Sequence, residues 1–379
     1  MKTIRLLAFL LLFSLLLSLM PVSYAAFESP VPSAILMEAS SGDVLYEKNA
    51  DEMRHPASVT KVMTLLLVFE AIDSGKITMQ DTVTVSERAA SMGGSQVYLE
   101  VGETMSVEDL VKSVVICSAN DAAVALGEYV SGSEAAFVDC MNQKALSLGM
   151  KNTHFDNTNG LDDTTKTHLT TARDIALMSR ELITAHPDIF KYTTLWQDSI
   201  RGGAFVLTNT NKLIRFYNGA NGLKTGFTQK SGYCISATAE RDGLQLISVV
   251  MGAESSNARN VAVKEMFDYG FANYKAQAVE PPAGIEFSLT GGKSAVCRAS
   301  GRGFRYVAPK SQNGTVTVEY TLIENLCAPI CEGDTVGEIV YRLGDNVLYK
   351  EALVASETVE KMTFFDVLWA AIKVYFMIQ

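Results

Sequence analysis

Pro56-Ala57-Ser58-Val59-Thr60-Lys61-Val62-Met63-Thr64-Leu65-Leu66-Leu67 places a serine three residues ahead of a lysine at the head of an apolar run. Val59, Val62, Met63, Leu66 and Leu67 recur at helical spacing and Pro56 suits a helix start, so the pattern predicts a buried helix with Ser58 in its first turn. Lys61 falls one turn along the same face, and its ammonium reaches the Ser58 hydroxyl only if its stem is drawn into the protein. A hydroxyl beside a buried amine is a nucleophile with its own base. This is the only S-x-x-K in the chain; read alone, its commoner explanation is an N-capping serine followed by a surface lysine.

Immediately upstream, residues 34–39 and 44–47 flank Ser41-Gly42-Asp43 and read as two short strands joined by a turn, a sheet edge on which the Ser58 helix packs. Farther upstream, residues 1–25 read as a secretory signal: Lys2 and Arg5, an apolar run over 6–19, then Ser23 and Ala25 at the positions before a cleavage site. Export is therefore expected. The formal charge of −10 becomes 30 − 42 = −12 once Lys2 and Arg5 are removed. So acidic a chain has no electrostatic reason to bind nucleic acid. Cys117, Cys140, Cys234, Cys297, Cys327 and Cys331 allow fifteen pairings and form no zinc ribbon, and the pairing stays open. His55, His154, His168 and His186 are scattered without H-E-x-x-H, which gives neither a catalytic metal nor a cofactor any support.

Downstream, a helical period over 107–116 stops at Cys117-Ser118-Ala119-Asn120-Asp121, and a second helix follows through Tyr129. In an extended connection Ser118 and Asn120 point to the same side, although S-x-N recurs at Ser255 and Ser311 and is a weak signal alone. A helix over 135–148 leads to a polar loop at 152–163. Thr170 or Thr171 then caps a helix over 172–182, and His168 beside that cap reads as a hydrogen-bonded fixture. Asn221-Gly222-Leu223-Lys224-Thr225-Gly226-Phe227-Thr228 opens an antiparallel meander that continues over 232–239 and, after Arg241-Asp242-Gly243, over 244–250. On a strand edge Lys224 offers a positive charge, Thr225 a hydroxyl, and Gly226 a gap for another backbone.

S-x-x-K, S-x-N and K-T-G in this order resemble the motif set of penicillin-recognising serine enzymes. Residues 157–161, 171–174, 222–226 and 269–271 extend the likeness to low-molecular-mass penicillin-binding proteins of the serine-type D-alanyl-D-alanine carboxypeptidase family. The resemblance implies an α/β (α+β) fold of the serine transpeptidase/β-lactamase type, with an antiparallel sheet and helices, over residues 26–274. It implies Ser58 as nucleophile, Lys61 as its base and Ser118 as proton relay to the leaving amine. It further implies that Asn120 holds Lys61 and the substrate amide, that Lys224 and Thr225 of the K-T-G strand take the substrate carboxylate beside Gly226, and that the Ser58 and Phe227 amides form an oxyanion hole. Arg259 would assist the carboxylate. The chain departs from some relatives at Thr210, where they carry an arginine. The implied partners are a peptidoglycan stem peptide ending in D-Ala-D-Ala and β-lactams as slowly released acylating analogues.

Past Tyr274 the composition shifts. Pro281-Pro282 read as a linker, and alternation such as Val316, Val318 and Tyr320 predicts a small all-β sandwich over 275–356. In the closing segment, 357–379, Thr363, Asp366, Ala370, Lys373 and Met377 make a narrow polar stripe, and Phe364, Phe365, Leu368, Trp369, Ile372, Tyr375 and Phe376 cover the rest. An amphipathic helix lying on a membrane surface is expected, with docking on the β domain as the other use of such a face. Two other functions fit parts of the sequence. A β-lactamase of the same fold has no place for the appended β domain, and a silent wall-binding protein would have lost one of the three motifs.

Overall fold

The computed structural model describes residues 28–376 except positions 164, 283 and 313; the expected signal segment, residues 1–25, lies outside the described residues. Ser33–Glu38 (β1) and Val44–Lys48 (β2) form the expected hairpin, with Gly42 at φ +80° in its turn. The meander consists of Ala220–Thr228 (β3), Gly232–Arg241 (β4) and Leu244–Ala253 (β5). Asp242 and Gly243, at φ +51° and +75°, connect β4 to β5 as a two-residue turn that needs positive φ at both positions.

The sheet order is β2-β1-β5-β4-β3, antiparallel at every pairing. Ala34 of β1 lies opposite Val250 of β5, so the two ends of this part of the chain are stitched together at the centre of the sheet. That leaves β3 at an edge with one neighbour.

Helix starts follow the expected chemistry. Ser106 caps Val107–Ile116, Ser133 caps Glu134–Ser147, Thr171 caps Ala172–Ala185 and Ser255 caps Ser256–Asn273, each hydroxyl accepting from the amide three residues on. Between the first two of these, Asn120–Ser131 ends on Gly132 at φ +82°. Lys61–Asp73 (α1) is buried on nearly every side, Lys61 and Thr64 included, as befits a helix apolar all round at the centre of the core.

One local expectation is revised. Ser58 does not sit in an α-helical turn: Ala57–Thr60 is a 3₁₀ turn, entered with Ala57 at φ +49°, and α1 begins only at Lys61. The tighter winding has a tertiary cause. The Ala57 carbonyl is pressed by Gly160, whose replacement by any residue with a Cβ would place that atom 1.8 Å away, and it is bonded by Thr60 Oγ1 at 2.8 Å.

Tyr274–Val279 (β6) follows the Ser256–Asn273 helix directly and pairs with Phe304–Pro309. Pro281-Pro282 thus come after the first strand of the β region rather than ahead of it. Ile285–Ser288, Val296–Ser300, Asn346–Ala355, Thr335–Leu343 and Val316–Leu322 form a five-stranded antiparallel sheet in that spatial order, around a core that includes Phe287, Ile339, Tyr341 and Leu353. The last helix is Phe364–Phe376 (α2).

Candidate active site

The 3₁₀ turn brings the first motif together. At three residues per turn, positions i and i+3 eclipse, and Lys61 Nζ lies 2.9 Å from Ser58 Oγ. The same ammonium donates to Asn120 Oδ1 at 2.6 Å and to the Asn159 carbonyl at 2.8 Å. Lys61 is 0% exposed, so its stem is drawn inside as the S-x-x-K reading requires.

Three contacts clamp the Ser58 turn. From β3, Gly226 passes so close that a Cβ there would lie 3.0 Å from the amide nitrogens of Ser58 and Val59 and 2.8 Å from the Pro56 carbonyl. From below, Gly160 at φ +89° meets the Ala57 carbonyl. From the side runs a relay of polar groups: the Asp156 amide donates to His168 Nδ1 at 3.0 Å, His168 Nε2 lies 2.8 Å from Thr60 Oγ1, and Thr60 donates to Ala57 O. With Nδ1 accepting, Nε2 carries the proton. Burial pushes the imidazole down to about 4, so it is neutral at pH 7. His168 is thus a structural fixture, but one in direct contact with the nucleophile's turn.

The S-x-N segment is shaped differently from an extended connection. Ser118 has φ +69° and is 5% exposed, and Asn120 is the first residue of its helix. Asn120 Nδ2 donates to the Gly93 carbonyl at 2.7 Å. Its neighbour Asp121, fully buried, accepts from the Val97, Leu99 and Ala122 amides and so ties the loop over 93–99 to the same helix start. Cys117 is half-buried and donates to Ser113 O at 3.1 Å, and burial pushes its thiol up to about 11, which keeps it protonated. All six cysteines are unpaired thiols.

Lys224 is 1% exposed, and its Nζ donates to the Thr225 carbonyl at 2.9 Å. Thr225 Oγ1 donates to Thr210 Oγ1 at 2.7 Å, which puts Thr210, the point of departure from some relatives, at this spot. Phe227 is half exposed and packs on Tyr233 with ring centroids 4.3 Å apart. Arg259 is buried, and its guanidinium donates to Asn260 Oδ1 and, at 3.4 Å, to the Cys234 carbonyl.

Electrostatics follow from burying these cations together. Burial first, and the charge of Lys224 second, hold the Lys61 amine well below its ordinary value. Burial brings Lys224 down to about 7, with Arg259 pushing the same way. Burial lowers Arg259 to about 10, so it keeps its full charge near neutrality. Among the described residues no cluster of His, Cys, Asp and Glu could hold a metal ion.

The structure therefore puts Lys61 in contact with both Ser58 and Asn120, brings Gly226 against the Ser58 backbone, carries Lys224 and Thr225 on the same strand as Gly226, and sets Arg259 near enough to act on the Lys224 charge. Sequence reasoning did not assign the Asn159 carbonyl, His168, Thr60 or Asp121 to the site. The first of these had a signal in Asn157-Thr158-Asn159-Gly160, where Gly160 is the residue that permits the close approach; His168, which touches the nucleophile's turn only through Thr60, left none.

The family model for D-alanyl-D-alanine carboxypeptidase matches residues 22–255, and the model for the C-terminal domain of penicillin-binding protein 5 matches residues 289–361. D-alanyl-D-alanine carboxypeptidase DacF of Bacillus subtilis is 38% identical over 376 residues, covering 95% of this chain and 96% of that one. Among solved structures, penicillin-binding protein 5 from Haemophilus influenzae superposes with a TM-score of 0.75 at 31% identity, over 89% of this chain and all of that one. Penicillin-binding protein D2 from Listeria monocytogenes, solved in an ampicillin-bound form, superposes with a TM-score of 0.60 at 34% identity, over 65% of this chain and all of that one.

Proposed function

The chain belongs to the D-alanyl-D-alanine carboxypeptidase family of serine peptidases, and on that premise we propose how its own residues remove a terminal D-alanine from a peptidoglycan stem peptide. Ser58 Oγ attacks the carbonyl between the two D-alanines while Lys61 Nζ takes its proton. The oxyanion that forms is held by the backbone amides of Ser58 and Phe227. Ser118 passes a proton to the leaving nitrogen, D-alanine departs, and the peptide stays as an ester on Ser58. Water then attacks the ester and releases the shortened peptide. Asn120 keeps Lys61 aimed at Ser58, and Thr225 receives the substrate carboxylate with the charges of Lys224 and Arg259 behind it.

The observation that carries this reading is the buried, charge-depressed Lys61 amine 2.9 Å from Ser58 Oγ. Burial and a second cation nearby both favour the free base of this lysine over its ammonium. The ampicillin and cefotaxime complexes of the Listeria protein support β-lactams as acylating analogues here too. The expected signal over 1–25 would carry the enzyme out of the cytoplasm. α2, thirteen residues long, spans roughly 20 Å, and no described helix is long and apolar enough to cross a membrane. Phe364, Phe365, Trp369 and Tyr375 are exposed on it, which supports lying in the membrane interface beside the wall polymer.

Intact-mass measurement with benzylpenicillin tests the core of the reading. The wild type should gain one drug mass that decays slowly, and Ser58→Ala should gain none. A folded wild type that takes no adduct at high drug excess would overturn the mechanism.

A further inference from the structure

Past Phe227 the end of β3 opens into a cleft of about 520 Å³ whose walls include Arg54, Phe227, Lys230, Tyr233, Gly252 and Glu254. The mechanism uses none of these side chains. Arg54 is held over Gly252, where a Cβ would come within 2.6 Å of Nη1, and its Nη2 pairs with Glu52 at 2.7 Å. Its Nε is buried and has no hydrogen-bond partner among the described residues. Lys230 Nζ donates to the Asp162 carbonyl, which fixes the ammonium but occupies only one of its three donors. The cleft thus carries two positioned cations, of which Arg54 is already paired with Glu52, a carboxylate at Glu254, and an apolar wall of packed Phe227 and Tyr233 rings.

The direction of the substrate brings one of its residues here. β3 is an edge strand, and an extended peptide can add to it. With the terminal carboxylate at Thr225 and the scissile carbonyl at the Phe227 amide, the peptide runs antiparallel to β3, and its upstream residues pass Phe227 towards Lys230. The residue next to the D-Ala-D-Ala pair then lies one extended step, about 3.3 Å, farther on. A long side chain on that residue ends over the cleft.

We infer that this cleft is a subsite for the stem-peptide residue preceding D-Ala-D-Ala, and that it selects a side chain ending in both a carboxylate and an ammonium. The carboxylate pairs with Arg54 and Lys230, and the ammonium with Glu254. A lone ammonium would meet Lys230 and the Glu52-paired Arg54, and a lone carboxylate would meet Glu254; a terminus of both signs can set each of its charges against an opposite one. The inference rests on the acyl-enzyme reading above and names its donor specificity.

The test compares three synthetic pentapeptides ending in D-Ala-D-Ala: one with diaminopimelate in third position, one with its side-chain carboxylate amidated, and one with lysine. D-Alanine release by the full-length enzyme should give the diaminopimelate peptide about a tenfold advantage in kcat/KM over the other two, the value of one solvent-screened charge-assisted hydrogen bond. Arg54→Gln and, separately, Lys230→Met should bring that ratio close to one. A merely structural loss would slow all three peptides alike and leave the ratio unmoved, which overturns the inference, as do equal rates on the three peptides with the wild type. The wild-type comparison needs no variant to fold. Benzylpenicillin acylation of the same sample separates the two levels: its absence removes the acyl-enzyme reading and the subsite with it, whereas normal acylation with equal peptide rates overturns the subsite alone.

Discussion

Gly226→Ala probes the contact on which the site's geometry depends. The added Cβ would lie 2.8 Å from Pro56 O and 3.0 Å from the amide nitrogens of Ser58 and Val59, all backbone atoms that cannot rotate away. Ordinary contact begins at 3.4 Å, so β3 and the Ser58 turn must separate by about 0.4 to 0.6 Å. As overpacking, this costs about 1–3 kcal/mol of stability. For the chemistry it matters more, because the Ser58 and Phe227 amides must meet one oxyanion, and a misplacement of about 1 Å can cost 10²-fold. The acylation rate by benzylpenicillin, followed by intact mass, should therefore fall about 10- to 100-fold, while a melting curve shows a cooperative fold weakened by a few degrees. A variant that acylates within about threefold of wild type would refute the idea that this approach sets the site.

Burial holds His168 at about 4 against 6.5 for an unperturbed imidazole, so the unfolded chain binds the extra proton between those values. This contribution to stability is complete above pH 6.5 and is lost as pH falls towards 4, by about 3 kcal/mol; urea melts across that window should show a shallower acid loss for His168→Gln, and an unchanged slope would contradict it. The pH profile of acylation should rise as Lys61 is deprotonated, well below the ordinary lysine range, and fall through about 7 as Lys224 loses its charge. Lys224→Arg stays charged and should move the falling limb upward; a limb that does not move would separate Lys224 from carboxylate binding. Deleting residues 363–379 should abolish co-sedimentation with anionic lipid vesicles and leave acylation unchanged, and vesicle binding by the truncated protein would place the membrane contact elsewhere.

The legible parts of the site were those built from short spacings. Ser58 and Lys61 are three apart, and both an α-turn and the 3₁₀ turn that forms bring i and i+3 together, so the pair survives the revised winding. K-T-G declared a strand edge with a gap, and Gly226 fills that role against the Ser58 amide. Lys224 lies on the edge strand that K-T-G marks, but its burial depends on what packs over it, and no local pattern encodes that. Nor did S-x-N reveal the left-handed turn at Ser118, because the strain is held by contacts to residues 93–99 through Asn120 and Asp121.

Alternation, caps and turns by themselves determined the β1–β2 hairpin, the meander with its Asp242-Gly243 turn, and the capped helices, because each depends on interactions within a few residues. The order of three chemical motifs along the chain determined the family. Only the tertiary structure decided that β1 pairs with β5, that the Asn159 carbonyl shares Lys61 with Ser58, and that His168 braces the nucleophile's turn through Thr60. These are contacts between segments about a hundred or more residues apart. They form only when the buried core brings those segments together, and a chain read residue by residue carries no distance between them.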